Sequence, residues 1–261
     1  MKTLALTAPH TISVYESMHE LPVLRHAEFQ VYRLYETGIG GDDGAISRHF
    51  AQLHQFLAAG RVDDAIDQAA NLQYAHDFAV DRFAPNSLAF GCLVAAVDGE
   101  PATDLSEAGL RALLARLDGL GLTVGHVQEV VDAVKKKVQS ELSAAFPQRY
   151  GDDAQGLATA QQLRRRLLAV CDYLATEAPE HLAVVAQVDA WLLDQQRPPC
   201  FDDGAPANVV QQMRRSFGHL CATLADHGTP QPELLTVFQF ETRVDYLQQK
   251  FERGREAAGV R

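Results

Sequence analysis

The sequence predicts a mainly α-helical protein of about nine or ten helices in two packed groups, with one short strand near the N-terminus. Three observations carry that prediction. Apolar residues recur at helical spacing along most of the 261 residues. Turn-rich stretches, "FPQRYGDDAQG" (146–156) and "RPPCFDDGAPAN" (197–208), interrupt the helical runs. Only "TISVYE" (11–16) reads as a strand.

The elements follow in chain order. Over 43–59, Ile46, Phe50, Leu53 and Leu57 fall on one helix face, and Gly60 ends the run. A second helix is predicted from Val62 to about Phe83, closed by Pro85. "NSLAFGCLVAAVDGEP" opens on a capping residue, Asn86, and stays apolar to Val97; it reads as a buried helix, with a strand as the alternative. "DLSEAGLRALLARL" carries a capping box, Asp104 with Glu107, ahead of the stripe Leu110, Leu113, Leu114 and Leu117. Val127, Val131, Val134, Val138 and Leu142 mark the next helix. So many valines are costly for helix propensity, so packing must compensate and this helix should be central.

The aperiodic stretch 146–156 divides an N-terminal helical domain, 1–147, from a C-terminal helical bundle, 148–261. Four patterns lie beyond it. They are Leu163/Leu167/Val170/Leu174, Leu182/Val185/Val188/Leu192, Val210/Met213/Phe217/Leu220/Leu224 and Val237/Phe240/Val244/Leu247/Phe251. Helix-pair spacing is uneven, which argues against a solenoid.

Composition narrows the function. With a formal charge of −11 and a pI near 5.3, the chain repels phosphate backbones. The dense basic runs are Lys135-Lys136-Lys137 and Arg164-Arg165-Arg166, both on predicted helices. The lysines read as a solvated face opposite the valine stripe, with Asp132 placed to pair with Lys136; the arginine run reads likewise. No helix-turn-helix with a basic second helix is present, so direct nucleic-acid binding is not expected. The cysteines, 92, 171, 200 and 221, form no C-x-x-C pair and read as reduced thiols. "LALTA" is shorter than the roughly 7–15 apolar residues of a signal segment, and no window reaches the roughly 18 of a membrane span. The expectation is a soluble, intracellular protein without a membrane partner.

Candidate motifs resolve toward structure. "YETGIGGDDGAISRHF" (35–50) has glycines at 38, 40, 41 and 44, but Asp43 stands where a dinucleotide fingerprint needs its third glycine. A Walker Lys-Ser/Thr pair is missing too. Asp42 and Asp43 would meet a phosphate with repulsion and instead suit the helix start, so this loop reads as a turn and cap. "HELPVLRH" (19–26) resembles a zincin start, yet Val23 holds the place of the second His and Pro22 breaks the helix. His49 and His54 diverge by roughly 140° on one helix. His219 and His227 flank Cys221 and Asp226 at no metal spacing. Glu20, His26 and Glu28 are near in sequence but face different ways. Cys92 sits in an apolar setting that raises a thiol pKa, so it reads as core. No G-x-S-x-G elbow exists. The pairs Asp63-Asp64, Asp152-Asp153 and Asp202-Asp203 read as caps and loop residues. No catalytic, cofactor-binding or metal residue is therefore assigned.

Three stretches, "VYESMHELPVLRHAEFQVYRLYETGIGGD", "SLAFGCLVAAVDGEPATDLSEAGL" and "VQEVVDAVKKKVQSELSAAFP", together resemble a group of uncharacterised bacteriophage and prophage open reading frames. The resemblance covers roughly the first 147 residues and extends to "WLLDQQRPP" (191–199). It implies a phage gene serving the virion or its assembly, and it brings no functional residues with it. The leading expectation is a non-enzymatic structural or interaction protein acting by oligomer contacts, partnered by itself or by other phage structural proteins, in the host cytoplasm or the virion. Flexible ends, Met1–Ser13 and Glu252–Arg261, would serve as arms. The alternative is an all-helical metal- or small-molecule-dependent enzyme with a site built from scattered His and Asp/Glu.

Overall fold

The computed structural model describes residues 1–36, 43–80, 86–151, 154–195, 197–202 and 204–257. Two strands come first, β1 (Lys2–Ala5) and β2 (Thr11–Val14), then the helices α1 (Val23–Glu36), α2 (Asp43–Ala58), α3 (Val62–Val80) and α4 (Ser87–Leu93). Next are β3 (Val94–Val97), β4 (Glu100–Pro101), α5 (Glu107–Gly119), α6 (Val124–Ala145) and α7 (Pro147–Tyr150). The chain continues through α8 (Ala154–Thr176), α9 (Pro179–Gln195), α10 (Val209–Asp226), a 3-10 turn (Pro232–Leu234) and α11 (Val237–Ala257). The protein is mainly helical, with a four-stranded antiparallel sheet in the order β1-β2-β3-β4.

The sheet corrects two expectations. Lys2–Ala5 pairs with Thr11–Val14, Lys2 opposite Val14, so the N-terminal segment is a hairpin and not an arm. Ile12 and Val14 point inward and are fully buried, while Thr11 and Ser13 alternate away from the core. The apolar run after Asn86 is half helix and half strand: α4 is buried on every side, and its β-branched end, Val94–Val97, pairs with β2. Asn86 occupies the N-cap position in left-handed conformation, but its side chain donates to Gln128 and caps nothing.

The principal core lies between the inner sheet face, α4, α5 and α6. It includes Leu88, Phe90, Leu110, Leu114 and Leu117, with Phe29 and Tyr32 of α1. Val127, Val131, Val134, Val138 and Leu142 are all buried, as a central helix requires. Gly91 lets α4 and α5 close up: a Cβ there would stand 3.0 Å from Leu110 Cδ2. The cap of α5 is Ser106, whose Oγ accepts from Gly109 N at 3.1 Å, and Asp104 instead accepts from Ser106 N. Thr123 and His126 form the reciprocal cap of α6. On α6, Asp132 accepts from Gln128 in place of the expected pairing with Lys136.

Contacts also cross position 147. Val23 of α1 packs with Leu224, Phe240, Val244 and Leu247, and Val31 with Phe201 and Val210. Val23 N donates to Leu235 O and Val237 N to Leu21 O, latching the starts of α1 and α11.

The predicted faces fail on two helices. Among the described side chains of α2, Phe56 is fully buried, while Phe50 and Leu57 are about half exposed. Its C-terminus is closed as expected by Gly60, which takes positive φ and allows Arg61 N to reach Phe56 O. On α8, Leu163, Leu167 and Leu174 point to solvent.

Candidate interaction surface

The residues proposed from sequence for chemistry are dispersed by the fold. The glycine-rich loop, Gly38 to Asp42, and Asp152-Asp153 lie outside the described residues, as does the second residue of Asp202-Asp203. Glu28 holds Arg214 in a two-pronged pair at 3.1 and 2.7 Å, and Glu20 pairs with the N-terminal amine. His26, partly buried, shares a hydrogen bond with Gln30 at 3.1 Å. Burial, aided by the charge of Arg33, pushes its pKa down to about 4.

Other histidines are likewise engaged. His10 meets Asp98 at 2.9 Å, His49 meets Gln68 at 2.7 Å, His19 stacks on Phe238, and His227 packs edge-on against Phe251. Among the described residues no group of three His, Cys, Asp or Glu is placed to hold a metal. Cys92 is fully buried in the principal core. Asp64, at the start of α3, is paired with Arg61 at 2.5 Å. Burial raises the pKa of Asp67, one turn on, with Asp64, Asp63 and Asp202 adding to it.

One cleft of about 400 Å³ lies where α1, α10 and the start of α5 meet, lined by Leu24, Glu28, Tyr32, Ser106, Glu107 and Arg214. Burial pushes the Tyr32 phenol up to about 12, with Glu28 adding to the shift. The charged groups in this cleft are already paired, Arg214 with Glu28 and Glu107 with Arg111.

An open apolar surface lies elsewhere. The helices α8 and α9 form an antiparallel hairpin whose mutual face holds Ala169 and Val188. Arg166 grips Asp189 across it at 2.6 and 3.3 Å, and Arg165 donates to Gln187 at 2.8 Å. On the side away from α9, Leu163, Leu167 and Leu174 are between 49% and 74% exposed, and Leu157 and Leu168 are exposed elsewhere on the helix. The sequence marks Leu163, Leu167, Val170 and Leu174 as one apolar face, and the fold leaves that face largely without a cover.

Beside this stripe runs a groove of about 790 Å³ between the hairpin and α2. Its walls include Ala51, Gln52, Gln55 and Ala58 of α2 and Ala186, Ala190 and Leu193 of α9, with the Arg166–Asp189 pair. Leu163 and Val170 stand about one turn either side of Arg166, so the stripe borders the groove. A smaller groove of about 370 Å³ lies along the hairpin, lined by Arg164, Arg165, Leu168, Asp172, His181 and Val184. At the hairpin base, Arg61 reaches Asp194, Arg197 reaches Asp64, and Asn71 donates to Pro199 O at 2.9 Å. These bonds hold the hairpin to the α2–α3 pair.

What the surface can do chemically is dock an apolar helix. Contiguous exposed apolar faces with polar edges mark protein, membrane or ligand contacts in proteins generally. Among the described residues no helix is long and apolar enough to cross a membrane. Compared with protein-family models, curated proteins and solved structures, the chain matches none.

Proposed function

We propose that the chain is a non-enzymatic interaction or structural protein, a bacteriophage virion, connector or assembly component that acts by oligomer contacts. The observation that carries this reading is the exposed leucine stripe of α8 beside the alanine-walled groove. Leaving the leucines of this stripe in water is costly at about 25 cal/mol per Å² of apolar area, a cost that a partner removes. The resemblance of the first 147 residues to phage open reading frames supplies the biological setting, the host cytoplasm or the assembled particle. In this reading the sheet, α4, α5 and α6 form the body, and α8 and α9 with the bordering face of α2 supply the contact surface.

Native mass spectrometry of the purified protein across a dilution series tests the proposal. A discrete oligomer, or a fixed complex with one protein partner, is expected. A monomer carrying a stoichiometric metal or small molecule would overturn it and favour the all-helical enzyme.

A further inference from the structure

We propose that the cleft between α1, α10 and the start of α5 is a binding site for a small organic cation, a primary ammonium carrying a short apolar chain. The cleft shares no residue with α8 or α9, so the inference goes beyond the contact surface and does not depend on it.

Tyr32 is the residue that points to a ligand. Its ring belongs to the principal core and is only 4% exposed, yet its hydroxyl forms no hydrogen bond among the described residues. The hydroxyl is not sealed in the core, because Tyr32 also lines the cleft and its oxygen opens there. A buried phenol ordinarily holds a hydrogen-bond partner, and here the cleft must supply it.

The neighbouring groups decide the chemistry. Ser106 is committed to capping α5, its Oγ accepting from Gly109 N at 3.1 Å. Arg214 lies against Glu28 in its two-pronged pair. Arg111 engages Oε1 of Glu107 at 2.9 Å, which leaves Oε2 without a partner among the described residues. The cleft therefore offers acceptors: Glu107 Oε2, the Tyr32 oxygen and the outer lone pairs of Glu28. A ligand has to bring donors, and an ammonium brings three.

Charge and shape agree. Burial pushes the Tyr32 phenol up to about 12; of the charged groups acting on it, Glu28 outweighs Arg214, and Glu107 adds to the acidic side. The phenol thus stays neutral in a negative local field, which attracts a cation and repels a carboxylate. Leu24 and Leu105 line the same cleft and suit a short apolar chain, and about 400 Å³ is room for a small molecule.

Isothermal titration calorimetry of the full chain at neutral pH tests the inference. The probe is n-butylammonium, and butyrate and n-butanol, which share its apolar chain, are the comparisons. Saturable one-to-one binding of butylammonium is expected, with the other two binding more weakly or not at all. Glu107→Gln removes a carboxylate charge and should weaken binding about tenfold; Tyr32→Phe removes only the hydroxyl and should weaken it about fivefold. Because that hydroxyl has no partner within the described protein, Tyr32→Phe should keep the wild-type unfolding midpoint, which separates a ligand contact from a structural role. Glu180→Gln removes an exposed acid on α9, away from the cleft, and should leave binding unchanged. Circular dichroism matching the wild type would show that each variant is folded. Absence of saturable butylammonium binding, butyrate or butanol binding as tightly as butylammonium, or equal affinity in the wild type and both cleft variants would overturn the inference. The α8 contact is read from the oligomeric state and stands or falls apart from these results.

Discussion

Arg25 carries a positive charge into the protein and forms no ion pair among the described residues. Its guanidinium donates instead to three carbonyls, Cys92 O at 3.1 Å, Val94 O at 2.9 Å and Ala102 O. The first two sit where α4 becomes β3 and the third just after β4, so one side chain ties the helix end to the far end of the sheet. Arg25→Met removes every donor and strands buried acceptors, with an expected loss of about 3 kcal/mol in urea unfolding. A loss under roughly 0.5 kcal/mol would contradict this role. Nothing in the sequence singles Arg25 out, because its partners lie nearly seventy residues away and are backbone atoms.

His26 offers a second test at the same scale. Its folded pKa is about 4 against an ordinary 6.5, so between those values the unfolded chain binds more protons than the folded one. Stability therefore falls as pH drops from 6.5 to about 4 and levels off below. The ring is only partly covered, so the full effect is on the order of 2 kcal/mol. His26→Gln should lose this part of the pH slope, read as the difference between two stability curves. Coincident slopes would contradict a neutral folded imidazole.

At the scale of the element, α6 and α8 have the same kind of sequence and opposite fates. Both show large apolar residues at helical spacing, and both read as buried faces. The valines of α6 are covered by α4 and the sheet, whereas the leucines of α8 are covered by nothing within the described chain. Periodicity reveals that a face is apolar, and the choice between burial in the fold and burial in a partner is tertiary. Substitutions should separate the two. Leu142→Ala in α6 opens a cavity and should cost about 2–4 kcal/mol. Leu167→Ser in α8, in dilute protein, should change stability by less than about 0.5 kcal/mol. Chemical denaturation below the association range measures both. A Leu167→Ser loss as large as that of Leu142→Ala would place α8 in the fold and not at an interface.

The same limit governs the other elements. Leu110, Leu114 and Leu117 were legible because their stripe is buried within one chain. The hairpin of β1 and β2 was half legible: "TISV" alternates, but Lys2–Ala5 is a strand only because β2 pairs with it. The break of the 86–97 run at Leu93 depends on Arg25 holding the carbonyls there, which no local pattern announces. Of the interaction surface, the leucine spacing and the arginine run were visible, but their solvent exposure and the neighbouring groove were not.

The whole molecule divides by how firmly each part is held. The sheet, α4, α5 and α6 share one buried core, whereas α8 is held chiefly by α9 and by polar bonds at the hairpin base. Elements with little buried apolar contact open locally at low cost. In dilute protein, amides of 154–195 should therefore exchange faster than those of 127–142. Under the proposed function, the exposed leucines of α8 are the face that meets another chain.

Hydrogen–deuterium exchange of the full chain, compared between concentrated and dilute protein, tests that claim most directly. Slower exchange at high concentration confined to 163–174 and the bordering segments of α2 and α9, with α6 unchanged, is the predicted result. Exchange in 163–174 that is independent of concentration and of any added partner would contradict it.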